Sequence, residues 1–172
     1  MEQRGKLKLL AISALFAAMI CLVTAYLLHI PVGLSGGYIH IGDGLIFLAA
    51  AMLPKPYAIG AAVLGAGLAD LLTAPVWIVA TVVVKTLITL PFSARGEKLL
   101  TRRNGLAALV SIPISCGGYY LAEALMFGNW IAPALSIPVS LIQYGGSSAL
   151  FFLAALVLDK AGIKKQLGKL YT

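Results

Sequence analysis

The chain has 172 residues, 60% of them hydrophobic and 11% charged, against roughly 45 to 50% apolar and about 25% charged in an ordinary soluble domain. That excess is too large for one globular core. A mean hydropathy of +0.97, with Gly and Pro dispersed through the apolar runs, predicts several membrane-spanning helices joined by minimal loops. Six spans of about 20 residues would take up roughly 120 positions, which excludes an additional soluble catalytic or nucleotide-binding domain.

Charges, Pro and Gly divide the chain into six apolar segments. The first, Leu9 to Leu28, follows Arg4, Lys6 and Lys8. A cleavable signal peptide is the alternative reading, but the run exceeds the usual apolar length of one and further spans follow at once, so it is read as retained. Ala11, Ala14, Ala17 and Ala18 smooth one side of it. Ala14 and Ala18 form a small-xxx-small pair that lets another helix approach closely, within the bundle or from another membrane subunit. The second segment, Ile41 to Leu53, is too short to cross a ~30 Å core unaided. Its outer end is expected to continue as the loop Ile30 to His40, packed against protein. Tyr57 to Thr73, Val76 to Phe92, Leu106 to Phe127 and Ala134 to Leu158 complete the set. Cys21 and Cys116 fall inside spans, where they read as small packing residues and not as a disulfide or metal site. The whole chain, 1–172, is expected to form one all-α transmembrane domain of six helices.

Orientation follows from Lys and Arg, which stay on the cytoplasmic side during insertion. Arg4, Lys6, Lys8, Lys55, Arg95, Lys98, Arg102, Arg103, Lys160, Lys164, Lys165 and Lys169 all fall on one side and none on the other. This places both termini in the cytoplasm and argues against a nucleic-acid partner, because the net charge of +7 sits at span edges.

Ionisable groups inside a membrane are costly and therefore functional candidates. On this topology Asp43 starts helix 2 at its outer end, Asp70 and Glu123 lie about one turn from the outer ends of helices 3 and 5, and Lys85 and Gln143 are near mid-depth. His40 precedes helix 2. All lie at mid-depth or outward, which describes a pocket open to the outside and not a path lined by polar groups from face to face. Each also has a structural reading. Asp70 and Lys85 flank the short turn Ala74-Pro75 and could neutralise one another. Asp43, between Gly42 and Gly44, could cap helix 2. Glu123 has no cation expected at its depth, which favours a ligand contact. Trp130 and Asn129 in the outer loop also read as an interfacial anchor, as does Tyr38. The ligand-binding candidates are His40, Asp43, Lys85, Glu123, Asn129, Gln143 and Tyr144. No catalytic residue, metal site or cofactor is expected.

The small-residue motif Ala14-Leu15-Phe16-Ala17-Ala18, the Pro/Gly-rich first loop and the segment Gly37-Tyr38-Ile39-His40-Ile41-Gly42-Asp43-Gly44 together resemble the substrate-binding S components of energy-coupling factor (ECF) vitamin transporters. With Leu53-Pro54-Lys55-Pro56-Tyr57 and Gly65-Ala66-Gly67-Leu68-Ala69-Asp70, the pattern looks most like the branch associated with vitamin B6 vitamers and hydroxymethylpyrimidine. The resemblance implies a multi-pass protein of a bacterial or archaeal plasma membrane. It implies an outward pocket covered by the first loop, and docking through Ala14 and Ala18 onto a transmembrane coupling subunit driven by two ATPases. In that picture the bound vitamin is substrate and the chain itself is not an enzyme. The residues agree on one point, since no Gly-x-x-x-x-Gly-Lys-Ser/Thr phosphate loop is present.

Two other functions compete. A self-sufficient carrier could use Asp70, Lys85 or Glu123 as a proton relay. An intramembrane enzyme could use His40 and Asp43 as an acid/base pair, although no nucleophile accompanies them.

Overall fold

A computed structural model describes residues 2–27, 29–32 and 37–171. Its elements are α1 (Glu2–Ala25), the strands β1 (Ile30–Val32) and β2 (Gly37–Ile39), α2 (Gly42–Met52), α3 (Lys55–Thr73), a 3₁₀ turn (Pro75–Trp77), α4 (Ile78–Thr89), α5 (Arg102–Phe127), the single turn α6 (Ala132–Leu135), α7 (Ile137–Lys160) and α8 (Ile163–Tyr171). Each of the six apolar segments therefore contains a helix. Four helices, α1, α3, α5 and α7, are long and apolar enough to cross a membrane, whereas α2 and the run Pro75–Thr89 are shorter.

Local chemistry sets the boundaries. Thr101 caps α5 by accepting from Asn104 N–H at 3.2 Å, and Gly128 ends it with φ +64°, the left-handed conformation that glycine adopts without strain. Pro56 sits in the first turn of α3, where a missing N–H removes no helical bond. The sixth segment begins as two pieces, because Ser136 N–H turns back to Pro133 O at 3.1 Å before α7 starts. The expected loop Ile30 to His40 instead contains a short antiparallel hairpin that pairs Ile30 with Ile39 and Pro31 with Tyr38. Residues 33–36 of that loop, and Leu28 at the expected end of the first span, lie outside the described residues. The amphipathic α8 is an addition to the six segments.

The short α2 is the most enclosed helix, with ten of its eleven residues buried. Surrounded by protein in place of lipid, a helix this short can end inside the bundle. Phe47 on α2 stacks on Phe92 with ring centroids 5.2 Å apart and meets Phe151 of α7 edge-on at 6.2 Å, which forms the centre of the core. Glycines set the closest helix approaches. A Cβ on Gly65 would lie 2.6 Å from Ala17 O, so α3 and α1 touch through backbone, and one on Gly118 would lie 2.7 Å from Val84 Cγ2, so the backbone of α5 packs against the Val84 side chain of α4. The outer surfaces carry exposed Leu64, Leu68, Val79, Leu106, Leu125 and Leu153, an apolar belt suited to lipid.

The ends of the bundle differ. At the end away from the hairpin, Lys55 Nζ donates to Leu90 O at 2.7 Å, Arg103 Nε to Pro91 O at 3.0 Å and Lys164 Nζ to Lys98 O at 2.9 Å. The Asp159 carboxylate accepts from Leu99 N–H and Leu100 N–H at 2.7 and 2.9 Å, which fixes the α4–α5 connection to the foot of α7.

Candidate functional site

A cavity of about 550 Å³ opens at the hairpin end, and its walls are drawn from α1, the β2–α2 linker, α3, α4, α5, α6 and α7. Helical periodicity explains the selection, because residues four apart share a face. Trp77 at the end of the 3₁₀ turn continues the stripe of Thr81 and Lys85 on α4, Tyr119, Glu123 and Phe127 climb one stripe of α5, and Ser136 at the start of α7 shares a side with Ser140, Gln143 and Tyr144. Ala66 and Asp70 do the same on α3.

At the base, Lys85 Nζ lies 2.6 Å from Asp43 Oδ1, with the two side chains 1% and 0% exposed. The ammonium also sits 5.3 Å from the ring centroid of Tyr119 and 5.7 Å from that of Tyr144, a distance at which an aromatic face attracts a cation. Asp43 is not on the cavity wall. It stands behind Lys85 and Gln143 and holds them in place. Gln143 Nε2 donates to Asp43 Oδ2 over a long 3.5 Å, while its Oε1 accepts from His40 N–H at 3.3 Å.

Two readings made from the sequence change here. Lys85 is neutralised by Asp43 of α2 and not by Asp70 of α3, because α2 runs buried beside α4 and brings a carboxylate closer than the antiparallel neighbour does. Asp43 does not cap its helix, since the capping position is Ile41 and no side chain closes it. His40 Nδ1 instead accepts from Gly42 N–H at 3.1 Å. His40 lies in the linker outside the helices, and burial pushes its imidazole down to about 4, so the ring is neutral at pH 7.

The remaining candidates line the upper walls. Glu123 is half-buried and faces the same space as Asp70. Asn129 sits at the rim, where its Oδ1 accepts from Ile131 N–H and Ala132 N–H at 2.9 and 3.0 Å and so shapes the turn into α6. Tyr144 also lines the cavity from α7 and is otherwise buried. Tyr119, Thr81 and Trp77 are among the wall residues that had not been singled out. Tyr119 shares a hydrogen bond with Thr81, Oη to Oγ1, at 2.8 Å, and Trp77 meets the Tyr119 ring edge-on at 5.9 Å. Thr81 stands four residues and Trp77 eight from Lys85, and Tyr119 stands four from Glu123, and this helical spacing was the available signal. Trp77 Nε1 and Thr24 Oγ1 are buried without a hydrogen-bond partner among the described residues. Trp130 stays outside this group, exposed and with its carbonyl accepting from Tyr120 Oη at 2.9 Å.

Ala14 and Ala18 lie on the exposed side of α1 with Ala11 and Leu15. The close contact with α3 is made by the opposite side, through Ala17 and Ile20 against Gly65.

The family model for the ECF-type riboflavin transporter, S component, matches residues 5–160. The chain belongs to that family. No curated protein and no solved structure matches it. An S component is the substrate-binding subunit of its transporter and not an enzyme. Membership thus accounts for a multi-pass chain that carries a sizeable cavity, and it implies a small-molecule vitamin as substrate and ECF subunits as partners.

Proposed function

We propose that this S component binds a flat heteroaromatic vitamin in the hairpin-end cavity and presents it to an ATP-driven coupling module. The ligand we favour is a vitamin B6 vitamer or the related hydroxymethylpyrimidine. The observation that carries the reading is the base of the cavity, where the ammonium of Lys85 is braced by Asp43 at 2.6 Å beneath the rings of Tyr119, Tyr144 and Trp77. Aromatic walls accept a planar ring, and a few placed polar groups fix its orientation. In this reading Lys85, Gln143 and His40 contact the deep edge of the ring, Glu123 and Asn129 contact its outer substituents, and Trp77 Nε1 gains an acceptor. Asp43 acts through Lys85 and Gln143.

A second ligand, riboflavin, is favoured by the description of the family itself. A volume of about 550 Å³ admits a one-ring or a three-ring vitamin, being within the range of roughly 300 to 1,000 Å³ for small-molecule sites.

All six apolar helices cross the membrane in this reading, with α2 shielded by its neighbours and both termini in the cytoplasm. The concentration of basic residues at the end away from the hairpin supports that orientation. The exposed Ala14 and Ala18 supply the surface on which the coupling subunit docks, with two ATPases beyond it.

The test is calorimetric titration of the purified chain with pyridoxal, pyridoxine, pyridoxamine, hydroxymethylpyrimidine and riboflavin. Saturable binding of a B6 vitamer or the pyrimidine at one site per chain supports the favoured ligand. Binding of riboflavin alone transfers the assignment to the second reading, and binding of none overturns both.

A further inference from the structure

The end of the bundle opposite the cavity carries charge that the chain does not neutralise. Lys55 at the start of α3 and Arg103 at the start of α5 donate to consecutive carbonyls, Leu90 O at 2.7 Å and Pro91 O at 3.0 Å, so two exposed cations are drawn to the one turn that ends α4. That turn is a fixed platform. Buried Asn104 accepts from Ser93 N–H at 2.8 Å and donates to Ser93 O and Leu99 O at 3.0 and 2.8 Å, which holds the chain that follows Pro91. Capping the last carbonyls of α4 uses one donor of each cation, but a carbonyl leaves the charge in place. Among the described residues neither cation forms an ion pair. Residues 86–108 contain one acid, Glu97, and its carboxylate lies 3.6 Å from Lys165 of α8, while Arg95, Lys98 and Arg102 add further exposed cations to the same stretch. The apolar belt begins directly beside the turn. Leu90, Leu87 and Val83 follow one another at helical spacing, and Leu106 and Val110 continue the line of Arg103 on α5, all of them exposed.

We propose that this clamp binds the headgroup of an anionic phospholipid: the Arg103 guanidinium and the Lys55 ammonium hold the phosphodiester, and the acyl chains lie along the exposed stripes of α4 and α5. Charge and the neighbouring surface together choose the occupant. A guanidinium presents five N–H donors, and with Nε–H given to Pro91 O the rest of the fork matches the oxygens of a phosphate. Basic sites between transmembrane helices recognise anionic headgroups in this way. A free phosphate would engage the cations and leave the apolar stripes uncovered, whereas acyl chains cover them. A zwitterionic headgroup would bring its own cation into a stretch of Lys and Arg whose one acid already faces Lys165, so the site discriminates by like-charge repulsion. The clamp is separate from the hairpin-end cavity and does not depend on which vitamin that cavity takes.

The experiment is native mass spectrometry of the full chain titrated with phosphatidylglycerol, phosphatidylcholine and glycerol phosphate. It compares the unaltered chain with Lys55→Gln/Arg103→Gln and with the charge-matched Lys8→Gln/Lys160→Gln, since glutamine keeps a donor for each carbonyl and removes only the charge. Phosphatidylglycerol is expected to bind about tenfold or more tightly than phosphatidylcholine, and glycerol phosphate to compete poorly with it. One basic residue near the membrane surface contributes about fivefold to binding an anionic lipid, so Lys55→Gln/Arg103→Gln is expected to lose roughly twentyfold. Lys8→Gln/Lys160→Gln is expected to change little. Equal loss in the two double variants overturns the inference, because the attraction would then be diffuse. Equal binding of the two lipids, or full competition by glycerol phosphate, overturns it as well. So does unchanged lipid binding in Lys55→Gln/Arg103→Gln, and weaker assembly of that variant onto the ECF subunits would then assign the clamp to a protein partner. Should that variant fail to fold, the comparison of the three ligands on the unaltered chain decides.

Discussion

Lys85 on α4 and Asp43 on α2 meet at 2.6 Å with essentially no exposure to solvent. Removing one partner from such a pair leaves a buried charge uncompensated, at a cost of roughly 3 to 5 kcal/mol, whereas replacing both with apolar groups is often close to neutral. Lys85→Met and Asp43→Leu are each expected to lower the melting temperature markedly, and the double variant to recover most of the loss. Asp70→Asn combined with Lys85→Met is expected to show no such recovery. A thermal-shift cycle over these variants checks it. Every variant that carries Lys85→Met is expected to lose ligand binding, including the stable double variant with Asp43→Leu.

Glu123 is half-buried on the cavity wall and can be altered without opening the core. Glu123→Gln is expected to keep its melting temperature and to lose affinity by about ten- to a hundredfold, the equivalent of one charge-assisted hydrogen bond of roughly 1.5 to 3 kcal/mol. Calorimetry and thermal denaturation on the same preparation separate the two effects. Unchanged affinity in a stable variant would move the outer contact to Asn129 and Ser140.

The approach of α5 to α4 depends on Gly118, whose added Cβ would stand 2.7 Å from Val84 Cγ2. Gly118→Ala is expected to push Tyr119 away from Lys85 and reduce affinity. Adding Val84→Ala should restore it by removing the obstructing methyl group. Failure of the second change to rescue binding would show that the glycine serves another purpose.

Much of this site could be read from the sequence. The heights of Lys85, Gln143 and Glu123 along their helices were read by counting along each apolar run, and the structure brings all three onto the wall of one cavity. The pairing of Lys85 could not be read in the same way. Turn length made Asp70 its neighbour, but α2 is buried on nearly all sides, and a helix without an amphipathic pattern gives no sign of which neighbour its polar residue faces. Trp77, Thr81 and Tyr119 were legible through their spacing of one or two helical turns from Lys85 or Glu123. The hairpin was not, since Ile30–Val32 and Gly37–Ile39 are three-residue strands with no alternation long enough to register.

His40 gives the fold a pH dependence. Its imidazole is held at about 4 by burial, against roughly 6.5 in an unfolded chain. Between those values the unfolded chain binds the extra proton, so the stability is complete above about pH 6.5 and is lost as the pH falls toward 4. The melting temperature is expected to decline across that window, and His40→Gln to flatten the decline. An equal slope in both proteins would place the titrating group elsewhere.

Ala14 and Ala18 are exposed while Ala17 and Ile20 carry the packing on α3. Ala14→Leu and Ala18→Leu are therefore expected to leave the melting temperature and ligand affinity unchanged. Uptake by the complete transporter should fall, because a bulky side chain holds the partner helix away. Parallel loss of binding and uptake would assign the two alanines to the chain's own packing.

The most direct test of a binding subunit that needs partners to transport is mass spectrometry of small molecules released from the purified chain, paired with uptake by proteoliposomes that contain only this chain. The account predicts one heteroaromatic vitamin released in about equal molar amount with protein, lost in the stable Lys85→Met/Asp43→Leu variant, and no uptake by the chain alone. Accumulation of substrate by the chain alone under a proton gradient, with no vitamin retained, would contradict it and favour a self-sufficient carrier.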